Sequence, residues 1–180
     1  MKIPAWRVWV EDKAKLNQSF KSYFKKGLLI KVKISSNLLS SHLNKAYHNL
    51  DLATFIFEKQ DKISTRDQGE TYNDSVIVFA YYSMYHAALS LLYSRGIRSK
   101  SHSATICYLC KECRELDEDD IEKIASLLDK KNIEEIGEGQ QRRERASYSS
   151  SIDFNKKLAE LTLEDARDFV NKIRGILKKT

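Results

Sequence analysis

Four side chains able to bind or act on phosphate fall within the short stretch SRGIRSKSH: Arg95, Arg98, Lys100 and His102. Arginine offers a planar fork of donors that matches phosphate oxygens, and lysine adds a point charge. Histidine titrates near neutrality and can serve as general acid or base. Arg95 and His102 spell Arg-x6-His. Cleavage of RNA requires a base for the 2′-hydroxyl and a cation for the charge that develops on phosphorus, so one Arg and one His can supply both without a metal. The same residues also fit a plainer reading, a solvated basic turn whose histidine makes a first-turn hydrogen bond in the next helix.

A second candidate is RRERASY. On a continuous helix Arg142 and Arg145 lie three apart on one face with Tyr148 beyond them. The ring of Tyr148 can stack on a base, as can that of Tyr82; the alternative is an Arg/Glu surface mesh around a packed tyrosine. Cys107, Cys110 and Cys113 spell C-x2-C-x2-C, but helical spacing spreads the thiols over about a third of the circumference, and no fourth ligand stands out. They are expected to be small buried residues rather than metal ligands. His86 is read as a core histidine, and His42 and His48 show no partner pattern. With no Gly-rich phosphate loop, paired carboxylates or G-x-S-x-G, no cofactor is expected.

The elements that must position these residues read as helices. One proline and six glycines in 180 residues are few breakers, and 42% hydrophobic with 31% charged residues is a globular balance. Leu39, Leu43, Ala46, Leu50, Ala53 and Phe57 recur at spacings of four and three, a helix stripe starting from an N-cap at Ser36 and ending near Asp61. The segment from Tyr72 to Ser94 is apolar on nearly every side, as a helix at the centre of a bundle is. Gly96 is placed to end it in the left-handed conformation. Further helices are expected from Ser103 to Cys113, from DEDDIEKIASLL onward, and from a capping box of Thr162 and Asp165. The fold class is all-α, an up-and-down bundle of about five helices over residues 36–180.

Residues 1–35 form a basic N-terminal extension, with nine Lys/Arg against two Asp/Glu. Such an extension could hold nucleic acid through its phosphates, or simply keep a solvated face. KLNQSFKSYFKKGLL reads as a short amphipathic helix ending at Gly27. LLIKVKI alternates like a strand, but with no partner strand in view it is expected to be an extended connector or a further helical turn. No apolar stretch is read as a membrane span and no secretory leader is recognised. With three cysteines, an odd number, a reducing cytoplasmic location is expected.

AYYSMYHAALSLLYSRGIRSKSHSATICYL resembles the segment of HEPN (higher eukaryote and prokaryote nucleotide-binding) proteins that reads A-Y-Y-x-M-[FY]-H-A-A, then a leucine-rich turn, Gly, Lys, a small residue and His. RRERASY and LTLEDARDFVNKI are similar to the basic segment and closing helix of that family, and the resemblance covers about residues 36–178. It implies a bundle of four to five helices, a homodimer, and a nucleotidyltransferase-type protein partner, including toxin–antitoxin pairs. Catalytic relatives are metal-independent endoribonucleases with an Arg-x4–6-His motif across the dimer interface; others bind nucleotide or act as structural partners. Arg95 and His102 match the looser motif. The later segment that reads Arg-Asn-x3-His in many catalytic relatives corresponds here to RRERASY, which has Arg142, Arg145 and Tyr148 but no histidine. The expectation is a nucleotide- or RNA-binding interaction module using Arg98, Lys100, Arg142, Arg145, Tyr148 and Tyr82. The alternatives are an endoribonuclease toxin using Arg95 and His102, and a non-catalytic structural partner.

Overall fold

The structure, a computed structural model, describes residues 5–63, 72–129 and 155–179. Its elements in chain order are α1 (Ala5–Glu11), α2 (Lys13–Lys25), β1 (Leu29–Lys31), α3 (Ser36–Ile63), α4 (Asn73–Ser94), β2 (Ile97–Ser99), α5 (His102–Glu112), α6 (Glu118–Asp129) and α7 (Lys156–Leu177). Helices dominate, and α3 to α7 are the five expected of the bundle. Among the described residues the fold is all-α apart from one two-stranded ribbon.

Helix α4 lacks a polar face, so the chain surrounds it. It packs chiefly against α3 and α7, and also against α5, α6 and β2. Val76, Ala80, Tyr81, Met84, Ala87, Ala88, Leu91 and Leu92 are fully enclosed. Each large apolar side chain among them contributes about 1.5–3 kcal/mol of burial. By length and composition α4 is also the one helix among the described residues able to cross a bilayer, which the sequence reading did not register. In the fold its apolar surface is spent on neighbouring helices. The hydroxyls it buries are satisfied: Ser83 donates to the Ala80 carbonyl, Ser94 to that of Leu91, and Ser90 reaches across to the Leu39 carbonyl of α3 at 3.0 Å.

Two helix starts differ from expectation. Ser35 rather than Ser36 caps α3, its hydroxyl accepting from the Leu38 amide at 3.3 Å. Helix α7 begins two turns before Thr162: Asn155 caps it by accepting from the Leu158 amide at 2.9 Å. Thr162 lies buried inside that helix and donates to the Leu158 carbonyl one turn back, a bond that lets threonine sit in a helix interior. Ahead of α6, Asp117 and Asp120 exchange backbone bonds as a capping box, and Lys172 of α7 donates to both carboxylates. This ties α6 to α7.

The N-terminal segment is part of the packed body. Trp6, Trp9 and Leu16 are buried, and α1 and α2 lie against α5. The helix expected up to Gly27 is α2, and Gly27 takes φ +66° just past its end. The connector expected at LLIKVKI is instead β1, which pairs antiparallel with β2 so that Ile30 faces Arg98. The strand lacked a visible partner because its partner is only three residues long and is hidden in the basic turn. The ladder continues at both ends, from the Val32 amide to the Gly96 carbonyl at 2.8 Å and from the Lys100 amide to the Leu28 carbonyl at 2.9 Å.

Gly96 makes the ribbon possible twice over. Its φ of +68° is unfavourable for any residue with a Cβ, and a Cβ there would sit 2.9 Å from the Val32 carbonyl oxygen. Gly27, with a similar φ, has open space around it. Gly96→Ala should therefore cost about 2 kcal/mol or more in urea unfolding, against about 1 kcal/mol for Gly27→Ala. It should also speed amide exchange at Val32, whereas Gly27→Ala should not. Equal costs would contradict the close approach.

Candidate functional site

Tyr81 and Tyr85 stand four apart on α4 and so share one face, with Tyr82 beside them. Helix α5 brings a histidine to this face. Ser101 caps α5 through the Ala104 amide, which makes His102 its first helical residue. The His102 ring stacks on Tyr85 at 3.9 Å between centroids and 5° between planes. Tyr82 meets it edge-on at 6.5 Å, and the buried Tyr81 lies nearly parallel to it at 5.6 Å.

The Tyr81 hydroxyl and His102 Nδ1 are hydrogen-bonded. Phenol is the better donor of the two and a neutral imidazole nitrogen the better acceptor, so Tyr81 donates and the ring proton resides on Nε2. Three tyrosines and one hydrogen bond thus fix the orientation and tautomer of a single imidazole. What the arrangement offers chemically is a flat stacked surface for a base or nucleotide, together with an oriented imidazole.

The basic residues read from the sequence distribute differently. Arg95, at the end of α4, donates to the Glu112 carbonyl at 2.6 Å and pairs with Glu115 at 2.7 Å. That places its guanidinium at the C-terminal end of α5, where an arginine satisfies orphan carbonyls and meets the negative end of the helix dipole. The bond to Arg95 also holds the Glu115 carboxyl below its usual value. His102 lies at the opposite end of the same eleven-residue helix, about 15 Å away along its axis. Within one subunit Arg95 and His102 are therefore not brought together. Adjacency in sequence misled because β2 carries the chain back along α4 before α5 begins. Arg98 and Lys100 are exposed on or beside the ribbon, Tyr82 is half-buried in the aromatic cluster, and Arg142, Arg145 and Tyr148 lie outside the described residues.

Sequence reasoning missed Tyr81 and Tyr85. Their signal was available: two hydroxyls one turn apart on a core helix each require a polar partner. It also missed the partner of His86. His42 of α3 faces it with Nδ1 atoms 3.1 Å apart, and Tyr93 stacks on His42 at 5.1 Å. Burial, then His42, Lys45 and His102, push His86 down to about 4; burial and Lys45 also lower His42. Both rings are thus neutral near pH 7, and one can donate to the other.

The three cysteines line α5 as expected of core residues, with Cys107 and Cys113 buried and Cys110 half-buried. Burial pushes all three up to about 12, which keeps them as neutral thiols near pH 7. No cluster of three or more metal-binding side chains occurs among the described residues.

Fold and site together describe an all-α bundle protein whose enclosed central helix presents a rack of tyrosines to a histidine. A family model of the HEPN domain matches residues 39–179, and the chain belongs to that family. A "UPF0332 protein" of Archaeoglobus fulgidus is 37% identical over 103 residues, 56% of this chain and 72% of that one. A Methanocaldococcus jannaschii protein named "Putative toxin" is 30% identical over 126 residues, 68% of this chain and 79% of that one.

The histidine pair makes stability depend on pH. The unfolded chain protonates His86 at its ordinary 6.5, whereas the fold resists protonation until about 4. Across that window the unfolded state binds more protons, so stability falls as pH is lowered from about 6.5 toward 4 and levels off below. Urea midpoints measured across this range should drop for the wild type. They should drop less for His86→Gln, and identical profiles would rule out the pair as the cause.

Proposed function

We propose that this HEPN protein is a toxin-like module that binds nucleotide or RNA at the Tyr81–Tyr82–Tyr85–His102 cluster. It acts as a homodimer with a nucleotidyltransferase-type partner. The observation that carries the reading is the imidazole of His102, held flat against Tyr85 at 3.9 Å and oriented by Tyr81. A histidine needed only for packing does not require three aromatic neighbours on a second helix. Family membership and a relative named as a toxin support the same class of role.

The endoribonuclease reading keeps one supporting observation, the fixed tautomer of His102. With the Nδ1 lone pair engaged by Tyr81, the second nitrogen carries the exchangeable proton and is the one that could exchange it with substrate. Arg95 is not its partner inside one subunit, because Glu115 and the Glu112 carbonyl occupy that guanidinium. A cation for phosphate would then come from another arginine or from the second copy.

Stacking on aromatic side chains contributes about 1–3 kcal/mol per base. His102→Ala should therefore weaken binding of labelled single-stranded RNA by about tenfold or more in fluorescence anisotropy, with its unfolding midpoint checked alongside. Unchanged affinity would remove the cluster as the site. Incubation with RNA in EDTA separates the two readings. Intact RNA that is still bound supports the binding module, and cleavage abolished in His102→Ala supports the nuclease.

A further inference from the structure

The ring cluster at His102 does not end at Tyr85. Tyr85 lies 6.0 Å from His86 between ring centroids, and His86 lies 5.3 Å from His42 of α3. His102, Tyr85, His86 and His42 thus form a continuous row from the start of α5, across α4, to α3, and all four are half-buried. One turn beyond His42 on α3 stands Lys45, exposed and without an ion pair among the described residues. Burial lowers both imidazoles of the pair first; Lys45 then lowers both, and His42 and His102 add to the effect on His86. No carboxylate among the described residues acts in the other direction. The sequence explains this sign. Positions 13–50 hold no Asp or Glu, α4 holds only Asp74, three turns before His86, and α5 holds none before Glu112 at its far end.

Surroundings of one sign repel a metal cation and favour an anion. Lys45 also lines an open depression on α3 with Asn37, Ser40, Ser41, Asn44 and His48. These side chains offer hydroxyl, amide, imidazole and ammonium groups, the types that contact phosphate and sugar. A base on the Tyr85–His102 rings therefore has an uncompensated cation at the other end of the row. We infer that Lys45, with the His42–His86 pair, is a phosphate subsite for the nucleotide whose base stacks on Tyr85 and His102. The phosphate is either that nucleotide's own tail or the next link of an RNA strand. This deepens the proposed function and rests on it. A soluble phosphate is favoured over an anionic membrane because Lys45 adjoins stacking rings and a depression lined by polar side chains alone. The exposed apolar residues nearby, Ile34 and Leu38, are not among that lining, whereas membrane docking depends on an apolar face.

The test titrates adenosine, ATP, a short oligoadenylate and phosphatidylserine vesicles against the full chain at low salt. Lys45→Gln, at an exposed position, should weaken binding of ATP or the oligoadenylate by about tenfold, the loss of one charged hydrogen-bond contact, and leave adenosine unchanged. Loss confined to ATP assigns the phosphate to the nucleotide's own tail. Loss that extends to the oligoadenylate, with a slope of log affinity against log salt shallower by about 0.7, assigns it to an RNA strand. Lys45→Arg should restore binding, and Lys178→Gln, which removes an exposed charge elsewhere, should behave as wild type. His102→Ala should weaken all three soluble ligands, adenosine included. Wild-type affinity for ATP and oligoadenylate in Lys45→Gln overturns the subsite, as does an equal loss in Lys178→Gln or a loss confined to the vesicles. Adenosine binding then still upholds the stacking site. Failure of the wild type to bind adenosine, ATP or the oligoadenylate overturns both.

Discussion

A helix with no polar side must be enclosed, and the enclosure of α4 determines where everything else in this protein can lie. Its residues could not be left facing water without giving up about 1.5–3 kcal/mol of burial each time a large side chain emerged. Helices α3 and α7 take most of the contact, while α5, α6 and the ribbon close the remainder. Because the enclosure is close-packed, polar groups along α4 take partners inside it, the buried Asn73 Oδ1 at its first residue excepted. The serines do so through carbonyls, Tyr81 through His102, and His86 through His42.

This is how a core helix can present a chemical site. The side chains that touch His102 are also among those that fill the bundle: Tyr81 is fully buried and packs in the core cluster, with Tyr82 and Tyr85 against it. Their rotamers are set by packing, so the imidazole meets a rigid surface. Arg95 has a complementary task. It closes the far end of α5 by taking the Glu112 carbonyl and Glu115, which stabilises the helix that delivers His102. A residue that reads as phosphate-binding in sequence thus acts at a distance, through the helix it terminates.

The bundle was legible because its signals are periodic and local. The apolar stripe from Leu39 to Phe57, the all-round apolar run of α4 and the glycine at position 96 each give their answer within one or two turns. Helix starts were less legible. Thr162 looked like a cap, and only the buried position of its hydroxyl against the Leu158 carbonyl distinguishes back-bonding from capping. The site was half legible. His102 and Tyr82 stood out by type, but their relation to Tyr81 and Tyr85 depends on how β2 brings the chain back along α4, and that path has no periodic signature. The β1–β2 pairing was invisible for the same reason: three residues pairing with three carry too little pattern, and what fixes them is the shape around Gly96.

That ribbon also imposes an order of assembly. Its two strands are separated in the chain by the whole of α3 and α4, so zipping them early would mean closing a long, floppy loop for very few bonds. Once α3 and α4 have paired as a helical hairpin, Val32 and Gly96 are already neighbours and closure costs little. The amino-terminal helices, tethered through β1, are accordingly expected to dock after the α3–α4 hairpin has formed.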